Sequence, residues 1–117
     1  MASQKDTFSV RKAKKEDCKE ILRLIQELAD YEKMPNGPRI GAETLEEDGF
    51  GSSRAFFECF VAEAKSKPNE LIGYVLYFYT YSTWEGRSVY MEDIYVTPSC
   101  RGLGIGTKLW QSVVKVR

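Results

Sequence analysis

The stretch from Tyr90 to Lys108, YMEDIYVTPSCRGLGIGTK, decides how the rest of the chain is read. Its first part suits a strand, because Tyr90, Ile94, Tyr95 and Val96 are the aromatic and β-branched types that pack on a pleated surface. Pro98 has no N–H to give a ladder and ends the strand. Arg101-Gly102-Leu103-Gly104-Ile105-Gly106 follows, and then an amphipathic run, Leu109 to Val116, that reads as a helix. A strand, a glycine turn and a helix start recur as a way to hold a phosphate. The first N–H groups of a helix lack internal partners and sit at the positive end of its dipole. Glycines let that backbone come close to a phosphate oxygen. The same pattern also serves as a plain strand-to-helix connection. The spacing G-x-G-x-G differs from the dinucleotide pattern G-x-G-x-x-G. It also differs from the P-loop, since Lys108 follows Thr107 and not a glycine.

Composition narrows the classes. A length of 117 residues suits one domain over 1–117. With 43% hydrophobic and 29% charged residues, the chain has an ordinary globular make-up. A formal net charge of zero gives no sign of a nucleic-acid or membrane partner. No apolar run approaches the ~18 residues that span a bilayer, and the polar start lacks a signal-peptide core. Cys18, Cys59 and Cys100 have no metal spacing, and three is an odd number. That argues for a reducing, cytoplasmic compartment and against a disulfide framework. The chain has no histidine, which excludes Ser-His and Cys-His triads and most catalytic zinc sites. No metal is expected.

Upstream, Phe8 to Lys12 alternates as a first strand. Lys14 to Lys33 carries apolar residues at three- and four-residue spacing (Cys18, Ile21, Leu22, Ile25, Leu28, Ala29) and predicts the clearest helix. The segment Met34-Pro35-Asn36-Gly37-Pro38 reads as a loop. Glu43 to Asp48 predicts a short helix closed by Gly49. Phe56 to Ala64 predicts a strand with Cys59 and Val61 on one face and Phe60 and Ala62 on the other. Lys65 to Glu70 reads as a polar turn, and Leu71 to Tyr81 as a long aromatic strand. Trp84 to Arg87 turns into a strand from Ser88 to Val96, so that the last two strands form a hairpin. The predicted order is β-α-α-β-β-β-α. The last strand looks apolar on both faces and expects cover on both. The tyrosines from Tyr74 to Tyr81 read as core and interface packing.

The segment R-G-L-G-I-G after a buried strand resembles the acetyl-CoA pyrophosphate loop of the GCN5-related N-acetyltransferases, whose pattern is [QR]-x-x-G-x-[GA]; Arg101, Gly104 and Gly106 fill it. Further wording is similar to the diamine acetyltransferases, the branch holding the spermidine/spermine N1- and thialysine Nε-acetyltransferases. It comprises Asp17-Cys18 through Ile25, Glu27-Leu28-Ala29 with Tyr31-Glu32, Asp48 to Gly51, Y-S-T-W-E-G-R at Tyr81 to Arg87, and E-D-I-Y-V at Glu92 to Val96. The resemblance covers nearly the whole chain and leans slightly toward the thialysine enzyme. It implies an α/β (α+β) fold: a mostly antiparallel mixed sheet flanked by helices. It also implies a chain incomplete at its C-terminal end, without the family's closing strands and the helix bearing its general-acid tyrosine.

The reaction so implied moves an acetyl group from acetyl-CoA to a primary amine of a polyamine, a diamine or a lysine analogue such as thialysine. An alkylamine has a pKa near ~10.4 and is cationic at neutral pH, so the site must bind the cation and then take its proton. Glu92 is the candidate base, acting directly or through water. A solvated acidic pair is the plain reading of Glu92-Asp93. The resemblance also implies that Ile94, Tyr95 and Val96 meet the pantetheine arm through backbone groups. Arg101, Gly102, Leu103, Gly104, Ile105, Gly106 and Thr107 would meet the phosphates. Tyr31, Glu32, Trp84, Glu92 and Asp93 would form the amine site, since aromatic faces and carboxylates suit an alkylammonium. A homodimer is the family's common state. The alternative is a catalytically impaired short form that binds acetyl-CoA or a full-length partner.

Overall fold

The computed structural model describes residues 7–34, 36–51 and 54–116. Pro35 of the expected loop and the polar start at 1–6 lie outside the described residues. Strand β1, Phe8–Lys12, leads through a single 3-10 turn, Lys15–Asp17, into helix α1, Cys18–Tyr31. The helix starts later than its periodicity predicts, because Asp17 turns back to accept the Lys14 N–H at 2.7 Å and fixes a tighter turn there. It ends where Lys33 takes the left-handed conformation (φ 59°) and the Met34 N–H returns to the Ala29 carbonyl.

Helix α2, Ala42–Glu46, does not close at Gly49; it widens into a π-type turn, Glu47–Gly51, that contains this glycine. The reason is steric: a Cβ on Gly49 would lie 2.5 Å from the Phe57 ring, so this glycine allows close packing and not a helix stop.

Strand β2, Glu58–Ala64, pairs antiparallel with β1 and with β3, Lys67–Ser82; β3 pairs with β4, Gly86–Val96. The sheet order is β1-β2-β3-β4, antiparallel throughout. The expected polar turn at Lys65 to Glu70 shrinks to two residues. Backbone pairing carries β3 back to Lys67 with no apolar side chain there except the Pro68 ring, and register shifts near Glu63 absorb the extra length. At about 3.3 Å per residue, the 16 residues of β3 reach the 50 Å long dimension of the molecule.

Helix α3, Ile105–Lys115, covers one face of the sheet, and α1 with α2 covers the other. On the α1 side Ile21, Leu24, Cys59, Val61 and Tyr74 form the core; on the α3 side Val75, Tyr77, Ile105 and Leu109 do. The expected two faces of β2 hold, since Cys59 and Val61 face α1 while Phe60 and Ala62 face α3. The most buried strand is β3. In β4 only Tyr95 is buried, because its first half runs out along an exposed hairpin arm with β3. Within the aromatic run Tyr74 and Tyr77 are core, whereas Tyr79 and Tyr81 are exposed.

Candidate active site

The end of β4 and the start of α3 meet at the glycine loop. After Val96, Thr97 still donates to the Ile72 carbonyl at 2.9 Å, and Pro98 then starts a single 3-10 turn, Pro98–Cys100. Gly102 and Gly104 both take positive φ (87° and 82°), a conformation that favours glycine. The first bond of α3 runs from the Lys108 N–H to the Gly104 carbonyl at 3.1 Å, and no side chain caps Gly104. The N–H groups of Ile105, Gly106 and Thr107 therefore lie ahead of the helix's own ladder, at its positive end.

A cavity of about 620 Å³ opens there. It is lined by Ile94, Tyr95 and Val96 of β4, by Arg101, Gly102, Gly104, Ile105, Gly106 and Thr107, and by Leu28, Tyr31 and Cys100. The residues expected to meet a pantetheine arm and phosphates thus come together, apart from Leu103, which packs against the α3-side core. A Cβ built on Gly102 or Gly104 meets nothing within 4 Å, so the loop leaves open space beside its backbone. Unpartnered N–H donors, an arginine and a cavity of cofactor size fit an anionic, phosphate-bearing ligand.

Arg101 crosses this cavity. Its Nε donates to the Val96 carbonyl at 3.0 Å, and its guanidinium carbon lies 5.2 Å from the Tyr31 ring centroid and 5.6 Å from that of Tyr95. Two aromatic faces therefore hold the cation in reach of the loop. Tyr95 is itself tied down: its hydroxyl donates to Glu27 of α1 at 2.9 Å, and Thr97 donates to the same carboxylate oxygen at 2.8 Å. Burial and the Glu27 carboxylate push the Tyr95 phenol above its ordinary range. Glu27 also accepts from Arg23, which joins it to Glu20. This chain of bonds fixes α1 against the strand end that lines the cavity.

The acidic residues lie just before that strand end. β4 pairs Asp93 with Leu76 and Met91 with Tyr77, so Glu92 is the extra residue of a bulge. A regular strand would send Glu92 and Asp93 to opposite faces, and the bulge breaks that alternation. Glu92 is exposed and Asp93 half-buried. Asp93 accepts the Tyr74 hydroxyl at 2.9 Å. Burial first, then the charge and the hydrogen bond of Asp93, hold that phenol far above its ordinary range, so it remains a donor. Trp84 is not brought to this cluster. It is 95% exposed at the turn of the arm, and Gly86 to Ile94 alone is nine residues of strand, on the order of 25 Å.

Sequence reading missed Leu28 and Cys100 as lining residues, the Glu27 anchor and the Tyr74–Asp93 bond. Leu28 carried only a core-like period. The Glu27 and Tyr74 contacts join positions 68 and 19 residues apart, which no local pattern reveals. Cys18 and Cys59 are buried. Burial raises the Cys18 thiol to about 11 and the Cys59 thiol higher still, so neither is a thiolate nucleophile. Among the described residues no group of His, Cys, Asp and Glu can hold a metal, and no helix is long and apolar enough to cross a membrane.

A strand, a glycine loop and a helix N-terminus around one cavity, on an antiparallel sheet with helices on both faces, define an acetyltransferase-type architecture. The model of the acetyltransferase (GNAT) family matches residues 19–116, and the chain belongs to that family. It is 50% identical over 112 residues to thialysine N-epsilon-acetyltransferase of Bos taurus, covering 92% of this chain and 65% of that protein. It is 40% identical to the human spermidine/spermine N(1)-acetyltransferase-like protein 1, over 95% of this chain and 16% of the relative. The chain therefore spans about two thirds of the length of the thialysine enzyme that it matches. An aminoglycoside acetyltransferase from a soil metagenome, solved with sisomicin, superposes with a TM-score of 0.76 at 19% identity, over 97% of this chain and 72% of that one; this likeness concerns the fold alone.

Proposed function

We infer that this chain binds acetyl-CoA and moves its acetyl group to a small primary amine, of the thialysine or polyamine class. The observation that supports this most is the cavity in which the β4 end, the doubly positive-φ glycine loop and the uncapped start of α3 converge. Acetyl-CoA would supply the thioester. In that reading the N–H groups of Ile105, Gly106 and Thr107 with Arg101 hold the phosphates, and backbone groups of Ile94 to Val96 hold the arm. Tyr31 lines the same cavity, and its carboxylate neighbour Glu32 faces the ammonium with Asp93.

Glu92 then takes the proton that the ammonium must lose before attack, directly or through a water; its exposure at the bulge leaves it free to do so. Trp84 belongs to the amine site only if the arm bends or a second chain brings it there. A homodimer and a cytoplasmic location are part of the same proposal; the family resemblance favours the first and the three free cysteines the second. The test is acetylation of thialysine and of spermidine by the purified chain with acetyl-CoA. Product formation that falls at least tenfold in Glu92→Gln supports the reading, and absence of turnover with both amines overturns it.

A further inference from the structure

Tyr74 is a core residue by every local criterion: 0% exposed, mid-strand in β3, and packed with Tyr95 at a ring distance of 6.5 Å. Its hydroxyl nevertheless points at a carboxylate. A buried phenol needs a partner, and most find a backbone carbonyl or water. Here the partner is Asp93, on the neighbouring strand and one residue before the first β4 residue that lines the cavity. A carboxylate has room for several donors. With Oδ2 engaged by Tyr74, the Asp93 side chain is held in one rotamer and Oδ1 remains for another donor.

We propose that Tyr74 is a positioning residue for the amine: it orients Asp93 so that the free carboxylate oxygen meets the substrate ammonium. This deepens the acetyl-transfer reading and rests on it. The bond crosses from β3 to β4 at the step where the Glu92 bulge would otherwise loosen the strand. It thereby sets Asp93 apart from Glu92: one carboxylate is clamped and binds the cation, and the other is exposed and free to take a proton. Burial keeps the Tyr74 phenol protonated over the working pH range, so the clamp does not switch off in alkali before the amine itself is neutral.

Tyr74→Phe keeps the ring and removes the donor. With thialysine as the probe amine at saturating acetyl-CoA, the expected result is a KM about tenfold higher, equal to ~1.4 kcal/mol. The expected kcat stays within twofold, and the acetyl-CoA dissociation constant from calorimetry is unchanged. In an Asp93→Asn background the same substitution should add less than twofold, because the group it positions is gone. An unchanged KM, an equal loss of acetyl-CoA affinity, or the same tenfold effect in the Asp93→Asn background overturns the proposal. Loss of folding in Tyr74→Phe also overturns it, since the hydroxyl is then a structural tie. Turnover by the unaltered chain with an insensitive Tyr74→Phe sinks this inference alone, whereas no turnover by the unaltered chain sinks the acetyl-transfer reading and this inference with it.

Discussion

Single residues here are constrained by conformation in some places and by charge in others. Gly104 precedes α3 with φ 82° and open space around it, so what an alanine meets there is backbone strain. Gly104→Ala should cost about 1 kcal/mol of stability and weaken acetyl-CoA binding by disturbing the loop. Gly106 lies inside the helix without a positive φ, and its added Cβ would sit 3.8 Å from Val96, an ordinary contact. Gly106→Ala should hold or raise the unfolding midpoint, since alanine favours helix by up to ~1 kcal/mol, and should leave binding near normal. Thermal unfolding and calorimetry on the two variants check the contrast. Asp17 is constrained by charge: burial opposes its ionisation, but the Arg11 guanidinium at 2.7 Å and the Lys14 N–H outweigh that and hold its pKa below the usual carboxylate range. A depressed folded pKa adds stability above the unfolded value of about 4, and that stability is lost as pH falls through the folded value. Asp17→Asn should therefore cost about 2 kcal/mol at pH 7 and progressively less below pH 4, as followed by urea unfolding across that range.

Elements meet at the site through bonds that a sequence does not display. The glycine loop, the strand before it and the presence of a helix after it were legible, because each has a local cause: β-branched and aromatic alternation, a proline stop, glycines at the turn; the helix itself starts at Ile105, four residues before its apolar run predicts, since Gly106 lies inside it. Cys59 and Val61 against Phe60 and Ala62 were legible for the same reason. The bulge at Glu92 has no local signature; it appears only once β4 is paired with β3. The early start of β3 at Lys67 is likewise a matter of pairing and not of side chains. Glu27 is the sharpest case. Its helical period marks it as a surface position, yet its Oε1 takes both the Tyr95 and Thr97 hydroxyls and so docks α1 on the cavity strand. Glu27→Ala strips two hydroxyls of their acceptor and should cost about 1–3 kcal/mol. It should also free the Tyr95 ring that supports Arg101 and weaken acetyl-CoA binding several-fold. An affinity loss without a stability loss would mean that Glu27 touches the ligand and does not dock the helix. The hairpin arm is the opposite case. Trp84 at its tip is almost fully exposed, so Trp84→Ala should change stability by less than ~0.5 kcal/mol, and any effect on an amine's KM would then be a direct contact.

At the scale of the whole molecule the cavity has a structural consequence of its own. Its walls come from α1, from the end of β4 and from α3, and those helices belong to the two separate cores on opposite faces of the sheet. A ligand seated there ties both cores to the strand between them, so it should stabilise the chain as one unit and not only its loop. Binding to the folded form alone adds about 2.7 kcal/mol at a ligand concentration a hundredfold above its dissociation constant. For a domain of this size that raises the midpoint by roughly 10 °C. The expected outcome is a single cooperative transition that moves upward with acetyl-CoA, by less for Gly104→Ala and Glu27→Ala at the same concentration. A shift seen equally with these variants would place the ligand elsewhere. A cooperative transition unmoved by millimolar acetyl-CoA would mean that this cavity does not hold it. Because the unaltered chain and both variants are read against the same ligand, the measurement separates a fold that merely has the family's shape from one that also has its grip.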